Sequence, residues 1–421
     1  MSNAGSSFFH PKAIAALTFI VGGSFLTAAP DALAAKAGKK HYSDLPTTDA
    51  VVLTQNPESE LAAIFSEIEQ QNLDSALAQT EKLLRKYPNF KLAHLIQGDL
   101  LLARTRPIQT IGAAPNGPAD QLADLRAEAV ARLKGYKEKP NANVVPRYLL
   151  QMPASQKYAI VVDTKKSRLY LYQNDETTGR PRFVADYYFT QGKEGSNKAK
   201  EGDKRTPIGV YHVTSSLPRN KLPDFYGSGA FPINYPNEWD KRNGKTGHGI
   251  WLHGTPSDTY SRPPRASDGC VVLTNADLND IAKNLQVGLT PVIISPDVEW
   301  LSLDDWQSER LALNKQIEEW KSDWESRDIE RYLKHYSKRY ESGSQKLAEF
   351  AQQKRSVNQS KTWIKVKLDN VSMFRSPGKE EMVVVTFEQN YQSNNLTNQM
   401  KKRQYWIRED GLWKIVQESA A

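Results

Sequence analysis

The pattern of hydrophobic and polar positions divides the chain into three regions. From Leu61 the apolar residues recur at helical spacing in three short runs, and a fourth helix is predicted from Ala119 to Tyr136. After Pro153 the period becomes two, which is typical of strands, and from Asp305 it becomes helical again before several strand-like runs end the chain. The pattern therefore predicts a helical region, a mainly antiparallel β domain and an α+β domain.

The predicted β domain contains six strand-like runs and a single helix. The helix "NADLNDIAKNL" follows Thr274 and has Asp277 at the spacing of a capping box. The six runs are "YAIVVD", "RLYLYQ", "FVADYYFTQG", "PIGVYHVTSS", "GIWLHG" and "TPVIIS". Because so few helices interrupt the strands, parallel βαβ units are not expected to dominate this domain.

The first residues are predicted to be an export signal. His10 and Lys12 give a weakly basic start, the apolar run from Ala13 to Leu26 follows, and the small residues at 32–34 resemble a cleavage site. The alternative is an uncleaved membrane anchor, although the run is shorter than the ~20 residues that a span needs. The protein is therefore expected in the periplasm or cell envelope, and membrane attachment could come only through this segment.

These observations give five predicted segments. They are a signal peptide (1–34), a linker (35–57), a helical region (58–150), a β domain that carries the chemistry (151–300) and an α+β domain (305–421). The formal net charge of +8 suits an acidic polymer or a membrane surface as partner, although a solvated basic face is the commoner cause of such a charge.

One cysteine, Cys270, is the only thiol of the sequence, so an intramolecular disulfide is excluded. It follows Gly269 in the stretch "SDGC", and His253 lies 17 positions earlier at the end of the run "GIWLHG". A thiol attacks carbonyls as its thiolate, which a nearby imidazolium or backbone N–H groups stabilise. The Gly254 carbonyl is expected to accept a hydrogen bond from the second ring nitrogen of His253, and the N–H groups of Gly269 and Cys270 are candidate oxyanion donors.

The region from Tyr158 to about Pro296 resembles the L,D-transpeptidase catalytic (YkuD-type) domain. The matching positions are His253, Gly254, Ser267, Gly269 and Cys270, together with the upstream run "TPIGVY" at 206–211. The resemblance implies that Cys270 attacks the carbonyl of the third, L-configured residue of a peptidoglycan stem tetrapeptide. D-Alanine then leaves, and an amine of another stem resolves the thioester.

Two positions depart from the family's pattern. Many members have His where this chain has Asp268, and Arg or Asn where it has Val272. Since an Asp aimed at the sulfur would raise the pKa of the thiol, Asp268 is expected to turn away and bond loop amides. Other residues are then candidates for substrate binding. They are Lys204, Arg205, Arg262, Arg265, Trp251 and His248, of which Trp251 is also expected to belong to the core.

The flanking regions give weaker signals. The first helices resemble a single tetratricopeptide-like unit, and one unit alone is expected to form a cap rather than a peptide-binding array. The last 115 or so residues resemble the SnoaL-like, nuclear-transport-factor-like cone. The fold alone assigns no chemistry to that domain, so it is expected to be a binding module. Its expected partner is a glycan strand or a wall-associated protein.

Several alternatives stay open. Water could replace the acceptor amine, since some members that join these two domains are L,D-carboxypeptidases, or the chain could be an inactive wall-binding scaffold. Papain-like peptidases place the Cys before the His, which is the reverse of the order here. The sequence has no metal-ligand spacing, no cofactor motif and no nucleic-acid-binding module, so none of these partners is expected.

Overall fold

The computed structural model of the protein describes residues 57–113 and 116–421. The predicted signal peptide lies outside the described residues, and so does the predicted linker except for its last residue, Pro57. Within the described ranges, no helix combines the length and the apolar composition that a bilayer-spanning segment needs.

Four helices form a layer at the start of the described chain. They pack around Leu61, Leu83, Phe90 and Ile96, which are almost completely buried, so the apolar runs of the sequence face one another. We call residues 57–137 the helical layer. Its elements are α1 (Pro57–Glu69), α2 (Leu73–Lys86), α3 (Lys91–Ala103) and α4 (Ala119–Lys137), and two short strands follow, β1 (Val144–Pro146) and β2 (Leu149–Gln151).

The central domain consists of two main sheets and two short helices. One sheet has the strand order β5-β4-β3-β13-β7 and the other the order β12-β10-β9-β8, while β6 pairs with β11. The elements are β3 (Tyr158–Asp163), β4 (Arg168–Asn174), β5 (Pro181–Tyr188), β6 (Gln191–Gly192), β7 (Gly209–His212), β8 (Leu217–Pro218), β9 (Gly229–Pro232), α5 (Glu238–Arg242), β10 (Trp251–His253), β11 (Arg265–Ser267), β12 (Val271–Val272), α6 (Asn275–Ala282) and β13 (Pro291–Ser295). Thr274 caps α6, since its side chain accepts the N–H of Asp277.

The core of the central domain lies between its two sheets. Ile160 and Ile294 of the first sheet pack with Phe231, Leu252 and Val271 of the second, and Leu252 and Val271 are completely buried. Burial of each such side chain contributes about 1.5–3 kcal/mol. This packing fixes which faces of β10 and β12 point inward, and therefore which face is left for chemistry.

The C-terminal domain is a long, strongly hydrogen-bonded sheet against which three helices pack. Trp320, Tyr336, Phe350, Phe387 and Trp406 belong to its buried aromatic core. Its elements are β14 (Trp300–Ser302), α7 (Leu303–Glu325), α8 (Ile329–Leu333), β15 (Glu341–Ser342), β16 (Gln345–Lys346), α9 (Leu347–Gln359), β17 (Ile364–Arg375), β18 (Met382–Ser393), β19 (Leu396–Glu409) and β20 (Leu412–Ala420). The three helices and the four long strands follow in the order that the periodicity predicts, whereas the short strands β14, β15 and β16 were not predicted.

The sequence prediction of a helical region up to residue 150 differs from the structure. Residues 144–151 form β1 and β2; β1 pairs with β14, and β2 adds an edge strand next to β17. These strands are three residues each, too short to show a period of two, so the pattern gave no signal for them. They tie the segment before the central domain to the C-terminal domain.

The central and C-terminal domains also meet through α5. Glu238 accepts hydrogen bonds from Arg403 and from the Tyr405 hydroxyl, each 3.0 Å long, and Trp239 stacks on Tyr405. Trp239 therefore packs between the two domains.

Candidate active site

His253 is the last residue of β10, and Cys270 directly precedes β12, which pairs with β10 in parallel. Leu252 of β10 pairs with Val271 of β12, and both side chains point into the core. Side chains alternate along a strand, so Trp251 and His253 lie on the opposite face. Cys270 stands one residue before Val271 and therefore opposite Trp251, on that same outer face.

His253 is held by its own backbone and by two aromatic rings. Its Nδ1 lies 2.7 Å from the Gly254 carbonyl oxygen, as predicted, and since a carbonyl only accepts, Nδ1 carries the proton. The ring centroids of Tyr226 and Phe225 lie 5.1 and 5.9 Å away. Burial lowers the pKa of His253 to about 4, and the charge of Arg262 adds to this effect. The imidazole is therefore neutral near pH 7, with Nε2 able to accept a proton.

The thiol of Cys270 is held in its neutral form. Its Sγ donates to the Gly249 carbonyl oxygen at 3.4 Å, and burial raises its pKa to about 11. The Trp251 N–H opposes this rise, the Asp268 carboxylate adds to it, and the cations Arg262 and Lys198 oppose it. The resting pair is therefore a neutral thiol and a neutral imidazole. Proton transfer between them must accompany attack on a substrate.

The turn before Cys270 is built around Ser267 and Gly269. The Ser267 hydroxyl accepts the Gly269 N–H at 3.1 Å and donates to the Cys270 carbonyl at 2.7 Å. Gly269 has φ +126°, and a Cβ there would lie 2.7 Å from the Arg205 carbonyl oxygen, so only glycine fits. Because Ser267 occupies the Gly269 N–H, the Cys270 N–H is the one of the two predicted oxyanion donors that remains a candidate.

The run "TPIGVY" supports this turn. The Thr206 hydroxyl accepts the Gly192 N–H at 2.9 Å and donates to the Gly269 carbonyl at 3.0 Å. Thr206 is completely buried, so it ties β6 to the turn before the cysteine without reaching the reacting atoms. Its place in the motif is therefore structural.

The Asp268 carboxylate does not bond loop amides, although the sequence analysis expected it to do so. Its carboxylate lies in solvent, 3.3 Å from the ammonium of Lys193. An exposed pair of this kind is screened by water and contributes little to stability. The expectation of amide partners is wrong because Ser267 already takes the Gly269 N–H of this turn.

Of the four predicted substrate-binding cations, Arg262 is the one whose charge acts on the Cys270 thiol. Its guanidinium lies 4.7 Å from the centre of the Phe225 ring, and its charge lowers the pKa of Cys270. Arg205 instead donates to the Ser196 carbonyl, and Lys204 and Arg265 are exposed to solvent. The four candidate cations are therefore not equivalent.

Sequence analysis missed two residues that shape the site. Lys198 is buried, donates to Asp203 at 2.8 Å, and its charge reaches Cys270. The side chain of Asn275 bridges the Ser228 N–H and the Thr255 carbonyl, and a Cβ on Gly254 would overlap it. Lys198 is one of many lysines in a charged loop, so no pattern in the sequence distinguishes it.

The remaining candidates lie at the rim. Trp251 is half-buried with its ring 4.8 Å from that of Tyr226, so the expectation that it belongs to the core is wrong. His248 is exposed, with Nδ1 3.7 Å from a Glu201 carboxylate oxygen. In the described part of the chain, no three His, Cys, Asp or Glu side chains converge as ligands of a metal ion would.

Two family models match this chain, one in the central domain and one in the C-terminal domain. Residues 157–294 match the family model of the L,D-transpeptidase catalytic domain, YkuD, and residues 312–419 match that of the Cds6 C-terminal NTF2-like domain. The recognition of both families from sequence is thereby confirmed, and so is the multidomain fold. No curated protein matches the sequence.

Two solved structures are similar over most of their length. Bd1075 from Bdellovibrio bacteriovorus is 28% identical with a TM-score of 0.58, and the match covers 66% of this chain and 98% of that chain. Pgp2 from Campylobacter jejuni, described as a helical cell shape determining protein, is 25% identical with a TM-score of 0.55. That match covers 69% of this chain and 99% of Pgp2.

Proposed function

We propose that this chain, whose residues 157–294 form a catalytic domain of the L,D-transpeptidase family, cleaves peptidoglycan tetrapeptide stems after their third residue. The observation that carries the proposal is the shared outer face of β10 and β12, where the thiol of Cys270 and the imidazole of His253 both lie, the latter held in one tautomer by the Gly254 carbonyl. Acyl transfer needs a nucleophile, a base held in one tautomer and a donor for the oxyanion.

The reaction follows from the neutral resting pair. Nε2 of His253 takes the thiol proton as Sγ of Cys270 bonds to the carbonyl carbon of stem residue three. The carbonyl oxygen becomes an oxyanion, for which the Cys270 N–H is the candidate donor. The C–N bond then breaks, the imidazolium gives its proton to the amine of the departing D-alanine, and a thioester remains on Cys270.

An acceptor amine from a second stem resolves the thioester in the leading proposal. His253 removes a proton from the amine, the new C–N bond forms, the C–S bond of the thioester breaks, and the proton returns to the sulfur. Water in place of the amine gives an L,D-carboxypeptidase, and the pairing of this catalytic domain with an NTF2-like domain favours that second candidate. Arg262 lies where a cation could hold the terminal carboxylate of the stem.

Incubation with defined tetrapeptide muropeptides, followed by measurement of product masses, tests the proposal and separates its two versions. We expect loss of one D-alanine from the donor and, with an added acceptor stem, cross-linked dimers. Tripeptide without dimers at any acceptor concentration would exclude transpeptidation and leave the carboxypeptidase. Tetrapeptide that stays intact in both reactions would contradict the proposal as a whole.

We also propose that the protein acts in the cell envelope, where its substrate is located. The predicted export signal supports this location, and the similarity to Pgp2 supports a part in determining cell shape. Both statements depend on the proposed reaction, since removal or formation of stem cross-links changes the mechanics of the wall.

The C-terminal domain offers a second binding surface. A cavity of about 220 Å³ opens beside Trp324 and Tyr391, and Lys354, Lys361 and Lys402 contribute to its lining. The ammonium groups of Lys354 and Lys402 lie 5.9 and 5.6 Å from the Trp324 ring. Aromatic faces beside cations suit a ligand that combines sugar rings with the free carboxylates of peptide stems, so a peptidoglycan strand is the proposed occupant.

A sedimentation assay with purified insoluble peptidoglycan tests this surface. In a Cys270→Ala background, Lys354→Met is expected to weaken binding about tenfold or more, because the half-buried Lys354 ammonium can no longer form a charge-assisted hydrogen bond with the strand. The exposed Lys315 of α7 provides the matched control, Lys315→Met. Equal binding by both variants would show that a wall-associated protein, rather than the strand itself, must be sought for this cavity.

A further inference from the structure

The segment between β10 and β11 joins the two halves of the active site. It runs from Gly254 to Pro264 without a helix or strand, so its own backbone does not fix its path. Ordering such a segment costs about 1–2 kcal/mol per residue in backbone entropy. Contacts from elsewhere must offset this cost, and the helical layer supplies several of them. We call residues 254–264 the site loop.

Tyr260 anchors the site loop in the helical layer. Its ring lies 4.6 Å from that of Tyr87 and 4.5 Å from that of Phe90, and it packs against the buried cluster of α1 to α4. Asn89, in the turn between α2 and α3, donates to the Ser257 carbonyl at 3.5 Å. The layer thus receives an aromatic side chain of the site loop as part of its own core.

A chain of polar contacts continues from Tyr260 toward the thiol. The Ser261 hydroxyl donates to a carboxylate oxygen of Glu128 at 2.7 Å, and that same oxygen accepts from Arg132 at 2.9 Å. The Arg132 guanidinium lies 4.0 Å from the centre of the Tyr188 ring. The Tyr188 hydroxyl in turn donates to the Arg262 carbonyl at 2.8 Å. A group of α4 therefore holds the Ser261 side chain, and a group of β5 holds the Arg262 backbone.

The side chain of Arg262 leaves this anchored backbone in the direction of the active site. Its guanidinium lies over Phe225, whose ring is 5.9 Å from that of His253. The charge of Arg262 acts on both His253 and Cys270. Its position depends on the site loop, because it is two residues beyond Tyr260 and follows Ser261 directly.

We infer that the helical layer is a positioning element of the active site, and that Tyr260 is the positioning residue through which it sets the place of the Arg262 guanidinium over the Phe225 ring, next to His253. Tyr260 does not touch the reacting atoms. It acts through Arg262, which stabilises negative charge as it develops on sulfur. The catalytic use of that charge rests on the proposed function, whereas its effect on the thiol does not.

The pH dependence of Cys270 alkylation by iodoacetamide tests this inference without a substrate. The charged groups that act on the thiol are Asp268 from its own turn, Arg262 from the site loop and Lys198 from the loop after β6, with His253 on the neighbouring strand. Tyr260→Ala and Arg262→Gln are each expected to move the midpoint of alkylation upward by about 0.5–1 unit. Tyr260→Phe keeps the ring and is expected to keep the wild-type midpoint.

Two further variants control for general damage to the helical layer. Tyr136→Ala removes a partly exposed tyrosine of α4 that does not contact the site loop, and its midpoint should equal that of the wild type. Ser261→Ala removes only the hydrogen bond to Glu128 and should move the midpoint in the same direction by less. The midpoint reports ionisation of the thiol, while the alkylation rate at high pH reports access to it.

The double variant decides whether Tyr260 acts through Arg262. In an Arg262→Gln background, Tyr260→Ala is expected to add no further shift. A shift that adds in full, or wild-type midpoints in both Tyr260→Ala and Ser261→Ala, would overturn the inference. A wild-type protein that fails to cleave muropeptides while these midpoints behave as expected would contradict the proposed function and leave this inference standing.

Discussion

Replacement of Cys270 by alanine is expected to reduce the cleavage of tetrapeptide muropeptides by at least about 10⁴-fold. The sequence contains no second thiol, so no other residue can form the thioester. The change leaves the turn intact, since Ser267 bonds the backbone carbonyl of Cys270 rather than its side chain. The measurement is the release of D-alanine under conditions in which the wild-type reaction is linear.

Cys270→Ser serves as the control for this prediction. It keeps a hydrogen-bond donor toward the Gly249 carbonyl, so its thermal unfolding should match that of the wild type, while its weaker nucleophile should give almost no turnover. Turnover of Cys270→Ala within tenfold of the wild type would show that another group carries out the reaction.

Replacement of His253 by glutamine is expected to lower kcat/KM by about 10²–10⁴-fold. The thiol has a pKa near 11, so at neutral pH it depends on a base to remove its proton. Glutamine preserves much of the contact with Phe225 and Tyr226 but cannot act as that base. The measurement is the initial rate of D-alanine release at several substrate concentrations.

The pH profile gives the control for this second prediction. Only the neutral imidazole accepts the thiol proton, and burial keeps the pKa of His253 at about 4, below the ordinary value for histidine. The wild-type kcat/KM should therefore fall as the pH drops through about 4, and stay level from there to neutrality. The same acidic limb in His253→Gln would mean that another group controls it.

The relation between His253 and Cys270 could be predicted from the sequence because it depends on local rules. A strand that ends in His-Gly and a turn that ends in Gly-Cys set the two side chains at strand ends, and alternation of Leu252 with its neighbours sets their face. The hydrogen bond from the imidazole to the Gly254 carbonyl joins adjacent residues, and it is present as expected.

The ionisation of the pair could not be predicted in the same way. The neutral thiol follows from burial and from charges that come from three separate segments, those of Asp268, Arg262 and Lys198. Spacing along the chain does not place Lys198 near Cys270, since the two residues are 72 positions apart in sequence. Motifs report which groups are present, whereas the balance of their charges depends on the folded structure.

The contacts that the flanking regions make could not be predicted from the sequence either. Tyr260 lies in a loop rich in polar residues and proline, where nothing in the pattern indicates that its ring enters a helical core. The strands β1 and β2 are short and find their partners more than 150 residues away, at β14, and more than 200 residues away, at β17. Long-range pairing of this kind leaves no periodic signal.

The intact mass of the protein after incubation with a carbapenem tests the central claim most directly, because members of the L,D-transpeptidase family are acylated at cysteine by this class of β-lactam. We predict one adduct per chain, located on the peptide that contains Cys270 and lost in Cys270→Ala. A wild-type protein that remains unmodified, or an adduct that persists in Cys270→Ala, would contradict the account, and the first result would favour an inactive wall-binding scaffold.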